Sequence, residues 1–156
     1  MDTKHALIIV LAAGVVLLLG GLLFSLGFAR YAPPEKGSPV ARYIIGGHPV
    51  RLRVANTAFA IGEGLSGARQ LRQDEGMLFF LERPVQTRFW NKDTLLDLDV
   101  LWLRDNAVIE IAQLRNEPEH GRIVISSPGL VDAVIEMPLG WALRNNIAPG
   151  ALLERQ

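Results

Sequence analysis

The sequence predicts a mainly β protein: a small barrel-like or sandwich domain with two short helices, preceded by one transmembrane α-helix. Three observations carry this prediction. An uncharged apolar run, Ala6–Ala29, opens the chain; a proline-rich stretch follows it; and from Tyr43 onward short apolar runs, several alternating with charged residues, are separated by turn residues. The chain has 156 residues, and setting aside the first 42 leaves 114, enough for one core and not for two.

Residues 6 to 29 contain no charge, and their only hydroxyl is Ser25. As a helix the run would extend about 36 Å at roughly 1.5 Å per residue, against a hydrocarbon core about 30 Å thick. Lys4 and Arg30 flank it and place a charge at each interface. The rival reading is a cleaved signal peptide, since Gly27 and Ala29 have the small-x-small spacing of a cleavage site; the run is longer than the apolar stretch of such a peptide. Ala6, Ala13, Gly20 and Gly27 recur at seven-residue intervals, a stripe that lets a second membrane helix approach closely. Alanine and glycine are also common in membrane helices for no such reason. The expected partners are therefore membrane lipid and another transmembrane helix, from a second copy or a larger membrane complex. Arg30 and Lys36 lean towards a cytoplasmic domain, whereas the short N-terminal tail leans the other way. The placement adopted is a single pass through a bacterial inner membrane with a periplasmic domain.

Tyr31 to Pro39 holds three prolines and a glycine, which end a helix and favour an extended spacer. The linker is bounded at residues 31–42 and the domain at 43–156. Val50-Arg-Leu-Arg-Val alternates as a half-buried strand does. Thr57 to about Glu63 is a short helix that Asn56 or Thr57 can cap. Gly76-Met-Leu-Phe-Phe-Leu has strand length. Leu98 to Leu103 and Val108 to Ile111 form a hairpin around Asp105-Asn106. Ile123 to Ile125 and Val131 to Met137 are further strands, separated by Ser126-Ser-Pro-Gly. Pro138 is expected to open a second helix through Asn145, Pro149-Gly150 to turn, and Ala151-Leu-Leu-Glu to form the last strand.

Composition excludes several functions. Of 16 Lys plus Arg and 16 Asp plus Glu, only Lys4 and Asp2 precede residue 29, so 15 of each sign remain and the domain is neutral. It has no electrostatic footprint for nucleic acid. The absence of cysteine removes disulfides, thiol catalysis and thiolate metal sites. His5, His48 and His120 lack metal-ligand spacing, so no metal and no cofactor is expected. Gly62-x-Gly64-x-x-Gly67 spells a dinucleotide fingerprint but neither follows a long strand nor opens a βαβ unit. Ser126-Ser127 has no histidine at useful spacing.

Asp74-Glu-Gly-Met-Leu-Phe-Phe, followed by Phe89-Trp-Asn-Lys-Asp-Thr-Leu-Leu-Asp-Leu-Asp-Val, resembles the signature of the "domain of unknown function 192" family, written E-G-M-L-F-x-F and F-W-M-K-N-T-x-x-P-L-D-I. Val134-Ile-Glu-Met-Pro-Leu-Gly-Trp-Ala is similar to its L-E-L-P-A-G-W-A, and Asn146-Ile-Ala-Pro-Gly to its G-I-x-x-G-D. The resemblance runs from about Arg51 to Leu153. It implies a compact, mostly β domain of bacterial and archaeal proteins, often behind a secretion or anchor segment, and it implies no reaction. The chain departs from the pattern at Asn91 (Met in the family), Asp93 (Asn), Asp97 (Pro), Ser66 (Met) and Ala151 (Asp). If the family motif forms a binding surface, these departures alter it.

Six residues are candidates for ligand binding: Trp90, Lys92, Asp93, Thr94, Asp99 and Glu136. Trp90 to Thr94 reads as a turn carrying a cation, a carboxylate and a hydroxyl beside an indole, able to grip an anion, although Asn, Asp and Thr also build ordinary turns. Asp97 and Asp99 are expected on one face of a strand, about 7 Å apart, where they would hold a cation or do acid–base work, or serve as structural acids. Glu136 and Glu75 fall in family-like blocks and read as single acids with structural partners. Two functions follow. The first is a membrane-anchored, non-enzymatic binding or accessory module; the second is a small-ligand-binding or hydrolytic domain in which Lys92, Thr94, Asp99 and Glu136 share one cleft.

Overall fold

The computed structural model describes residues 40–156. The expected transmembrane helix, its stripe at Ala6, Ala13, Gly20 and Gly27, and the linker up to residue 39 lie outside them. Among the described residues no helix is long and apolar enough to cross a membrane.

A tight turn at Gly46-Gly47, both at positive φ, joins β1 (Val40–Ile45) to β2 (His48–Ala55). β1 begins ahead of the boundary expected at Tyr43, because Val40 already pairs with Arg53. Helix α1 (Ala58–Glu63) follows; Thr57 caps it, its Oγ1 accepting from Ala60 N at 3.1 Å. The chain then returns as β3 (Glu75–Val85), parallel to β2. Next come β4 (Arg88–Trp90), β5 (Leu98–Arg104), β6 (Ala107–Leu114), helix α2 (Glu117–His120), β7 (Val124–Ser126), β8 (Val131–Pro138), helix α3 (Trp141–Arg144) and β9 (Leu153–Arg155). Asp105 and Asn106, with φ of 51° and 64°, make the expected two-residue turn between β5 and β6.

Seven strands form one sheet in the order β6-β5-β8-β3-β2-β1-β9. Its edges approach one another. Val108 N donates to Ala151 O at 2.9 Å, Leu153 N donates to Asn106 O at 2.8 Å, and Ala107 bridges Leu152. The sheet is thus a curled, opened barrel, which settles the barrel-like reading against a sandwich. The second sheet is only a ribbon of β4 and β7.

The sequence predicts two short helices, and three are present among the described residues. The extra one, α2, is a single turn with Pro118 in its first positions and Asn116 as cap, its Oδ1 accepting from Glu119 N at 3.0 Å. So short a segment has no apolar periodicity to announce it. Pro138 ends β8 rather than opening a helix; α3 starts at Trp141, after Gly140 at a φ of 77°.

The central strands are covered on both faces, which is why Leu98 to Leu103 is buried without a break. One face packs Leu52, Leu78, Leu101, Leu103, Ile135 and Met137 with Trp141 of α3. The other packs Phe79, Val100, Trp102 and Val134 beneath Phe89 of the ribbon and Leu65 after α1. Phe89 stands edge-on to Phe79 at 4.9 Å and to Trp102 at 5.6 Å between ring centroids. It pins the ribbon to the sheet. β3 and β8 meet so closely at Gly76 that a Cβ there would run into the Glu136 carbonyl and the Met137 sulfur. Gly76→Ala is therefore expected to destabilise the fold by about 1–3 kcal/mol, the usual penalty of overpacking. Urea unfolding would check this through a lower midpoint at unchanged slope.

Candidate functional site

The second face of the sheet is not sealed everywhere. Between α1, the ribbon and β8 lies a cleft of about 380 Å³. Ile61 to Ser66 form one wall, and Phe79 with Thr87 to Trp90 form another; Lys92, Asp93, Thr94 and Glu136 complete the lining. Local sequence explains each wall. Gly64, at a φ of 53°, ends α1 and donates its N–H to Ala60 O. Period two along β4 turns Phe89 inward while Arg88 and Trp90 stay exposed. Asp93, at a φ of 53°, reverses the chain after β4, and its carbonyl accepts from Gly67 N at 2.9 Å, tying the two walls together.

Glu136 lies at the base. It shares a face of β8 with Val134, and its direct neighbours across the sheet are Met77 and Val100. It is only 4% exposed. No donor or cation among the described residues reaches its carboxyl. Burial without compensation pushes this group up to about 8, so it holds its proton at neutral pH. An unpartnered buried carboxyl is costly to the fold, and this one points into open volume.

The rim is charged and aromatic. Lys92 Nζ lies 5.8 Å from the centre of the Trp90 ring, and Arg122 Cζ lies 5.9 Å from it. Trp90 is half exposed. Glu63 and Asp93 balance Arg88 and Lys92 around the opening. Thr94 is buried at the side, its hydroxyl directed to Lys92 O at 3.4 Å.

Five of the six candidates thus line one cleft: Trp90, Lys92, Asp93, Thr94 and Glu136. Asp99 does not. It lies on the opposite face of β5 from Val100, and its Oδ2 accepts from Ala142 N at 2.9 Å. It caps α3 in place of Gly140, which has no side chain to do so. The expected pairing of Asp97 with Asp99 on one strand face also fails, because Asp97 precedes β5 and turns to Asn116. Its Oδ1 accepts from Asn116 N and Nδ2, both at 2.8 Å, and Arg115 lies 3.2 Å from its Oδ2. Partial burial opposes its ionisation, but these Asn116 bonds and the nearby Arg115 and His120 outweigh it and hold the carboxyl below its ordinary value. Glu75 is structural, 3.4 Å from Arg51. Arg88, Phe79, Phe89 and Glu63 belong to the cleft without having been singled out by sequence, and Ser66, noted there only as a departure from the family pattern, lines it too. Phe89 stood inside the recognised block, whereas Arg88 carried no signal in one chain.

Two departures from the family pattern, Asn91 and Asp97, have one structural role. Asn91 is fully buried; its Nδ2 donates to Arg115 O at 2.9 Å and Gly121 O at 2.7 Å, and its Oδ1 accepts from Ile123 N at 2.8 Å. Asp93 N donates to Glu117 Oε2 at 2.7 Å, and Glu117 also accepts from Arg122. Asp97 binds Asn116. The Asn91 and Asp97 side chains and the Asp93 backbone amide clamp the excursion from Arg115 to Ile123 behind the rim. Asn91 and Asp97 do not line the cleft; of the departures, Ser66 and Asp93 do.

An opened barrel with an acid-floored cleft of ligand size beside a two-stranded ribbon defines a small, mainly β domain. The family described as "Uncharacterized ACR" (DUF192) matches residues 41–155, and the chain belongs to that family. Two crystal structures are similar to it. One, from Novosphingobium aromaticivorans DSM 12444, is a protein of unknown function with 27% identity and a TM-score of 0.69, covering 78% of this chain and 89% of that one. The other, from Sinorhizobium meliloti 1021, is provisionally described as a transcription regulator, with 28% identity and a TM-score of 0.67, covering 74% and 92%. No curated protein matches the chain.

Proposed function

We propose that this protein is a membrane-tethered, non-enzymatic binding module that takes a small organic ligand into the Glu136 cleft. The observation that carries this reading is a buried carboxyl with no partner, facing open volume under a charged and aromatic rim. Pockets for small molecules combine apolar walls with a few converging polar groups and a perturbed ionisable residue. The tether is supported by the sequence alone, in the uncharged run Ala6–Ala29 with its flanking Lys4 and Arg30. Placement at a bacterial inner membrane with the domain outside rests on the same segment, as does contact with a partner helix through Ala6, Ala13, Gly20 and Gly27. Ligand capture, rather than reaction, fits a cleft whose other carboxylates, Glu63 and Asp93, sit on exposed positions. The related structure's description as a transcription regulator finds no support in the neutral charge of the domain.

The test is a fragment screen by NMR on the full-length chain in detergent. Binders are expected to shift the Trp90 indole and the Thr94 amide together. Ser66→Trp, which places a large ring at an exposed position of the lining, is expected to weaken every such binder at least about tenfold, or ~1.4 kcal/mol. Binders that shift residues elsewhere and ignore Ser66→Trp would defeat the proposal.

A further inference from the structure

We infer that the ligand taken by this cleft is a small organic cation, an amine or quaternary ammonium compound whose positive group sits against Glu136. This rests on the cleft being the ligand site and names the chemistry that the site selects. The charge count of the lining points to it. Glu63 from α1 and Asp93 from the turn are matched by Arg88 from β4 and Lys92 from the turn. Glu136 from β8 is the remaining ionisable group, and its sheet neighbours Met77 and Val100 carry no charge. Once Glu136 ionises, the cavity holds one uncompensated negative charge at its base. A cation supplied by the ligand removes that imbalance, whereas an anion would meet it head-on.

The walls fit the same chemistry. Phe79 and Phe89 line the cavity beside Glu136, and aromatic rings attract cations through their faces. At the rim the Trp90 ring already draws two, Lys92 and Arg122. A metal ion does not fit as well. A hard divalent cation takes about six or more oxygen ligands, and no group of three acidic or histidine residues is placed to hold a metal among the described residues.

Binding has a proton cost that can be measured. The empty cleft keeps Glu136 protonated up to about pH 8. Entry of a cation expels that proton to the buffer and leaves a carboxylate facing the ligand's nitrogen. Affinity should then rise about tenfold per pH unit below pH 8 and level off above it. The experiment is calorimetry on the full-length chain in detergent, with choline and with its uncharged carbon isostere as probes, in two buffers of different ionisation heat. The expected result is choline binding at least about tenfold tighter than the isostere at pH 8.5, with close to one proton released at pH 7. Glu136→Gln should abolish that preference while leaving the isostere unaffected. Equal binding of both probes would overturn the cation inference and leave the ligand cleft standing. Choline binding that survives Glu136→Gln, or no choline binding at all, would overturn it as well, and the fragment screen decides the cleft separately.

Discussion

Glu136→Gln is expected to make the empty protein more stable at neutral pH, by roughly 3 kcal/mol at pH 7. The ordinary value of a glutamate carboxyl is 4.5, and burial among apolar neighbours raises this one to about 8. The folded state therefore keeps a proton that the unfolded chain releases. Stability is fully present below pH 4.5 and falls as pH rises towards 8. Between pH 4.5 and pH 7 the loss accumulates at about 1.4 kcal/mol per pH unit. Glutamine keeps the shape and removes the ionisation, so its stability should be flat across that window. The melting temperature of the wild type should drop between pH 5 and pH 8, and that of the variant should not, opening a gap on the order of 10 °C at pH 7. Retaining a destabilising acid is what a binding site does when function needs the group and the fold does not. Coincident pH profiles of the two proteins would mean that Glu136 is solvated or paired.

Asn91→Met should destabilise the protein by about 3 kcal/mol or more, although methionine is the residue of the family pattern. The amide makes three hydrogen bonds in a fully buried position, to Arg115 O, Gly121 O and Ile123 N. Methionine fills the space and leaves two carbonyls and one N–H unpaired, each at about 1–3 kcal/mol. Asn91→Asp should be at least as harmful, since a carboxylate cannot donate to the two carbonyls. The damage should be local first. In hydrogen exchange, the Ile123 amide and the Asp93 amide, which binds Glu117, should lose protection well before the strands do. Lys92→Ala, at an exposed position next door, should shift stability by no more than about 0.5 kcal/mol. A stable Asn91→Met would show that the Arg115–Ile123 excursion is held by other contacts.

How much was legible in the sequence depends on the range of the interaction. The hairpin at Asp105-Asn106 and the Thr57 cap are local, set by residues that tolerate positive φ or accept from a nearby N–H, and both are where the pattern placed them. Glu136 and the Trp90–Thr94 turn were each visible as residues of interest. Their convergence was expected only under the second functional reading, which wrongly added Asp99; no local pattern carried it, because it follows from the ribbon folding over β8 through Phe89, a contact between distant segments. Period two also misleads where both faces are covered. Leu98 to Leu103 has no solvent face to mark, so Asp99 offered no sign that it turns away from the cleft to cap α3. Asn91 read as a turn residue because a buried polar bracket and an exposed turn use the same amino acid.

The central claim is that Glu136 is an uncompensated acid waiting for a ligand. Carbon NMR of the glutamate carboxyls, titrated in the empty full-length protein and assigned with Glu136→Gln, measures it directly. One carboxyl should titrate near pH 8, vanish in the variant, and move to lower pH when a binder occupies the cleft. A Glu136 resonance that titrates near 4.5, the ordinary value, would contradict the account.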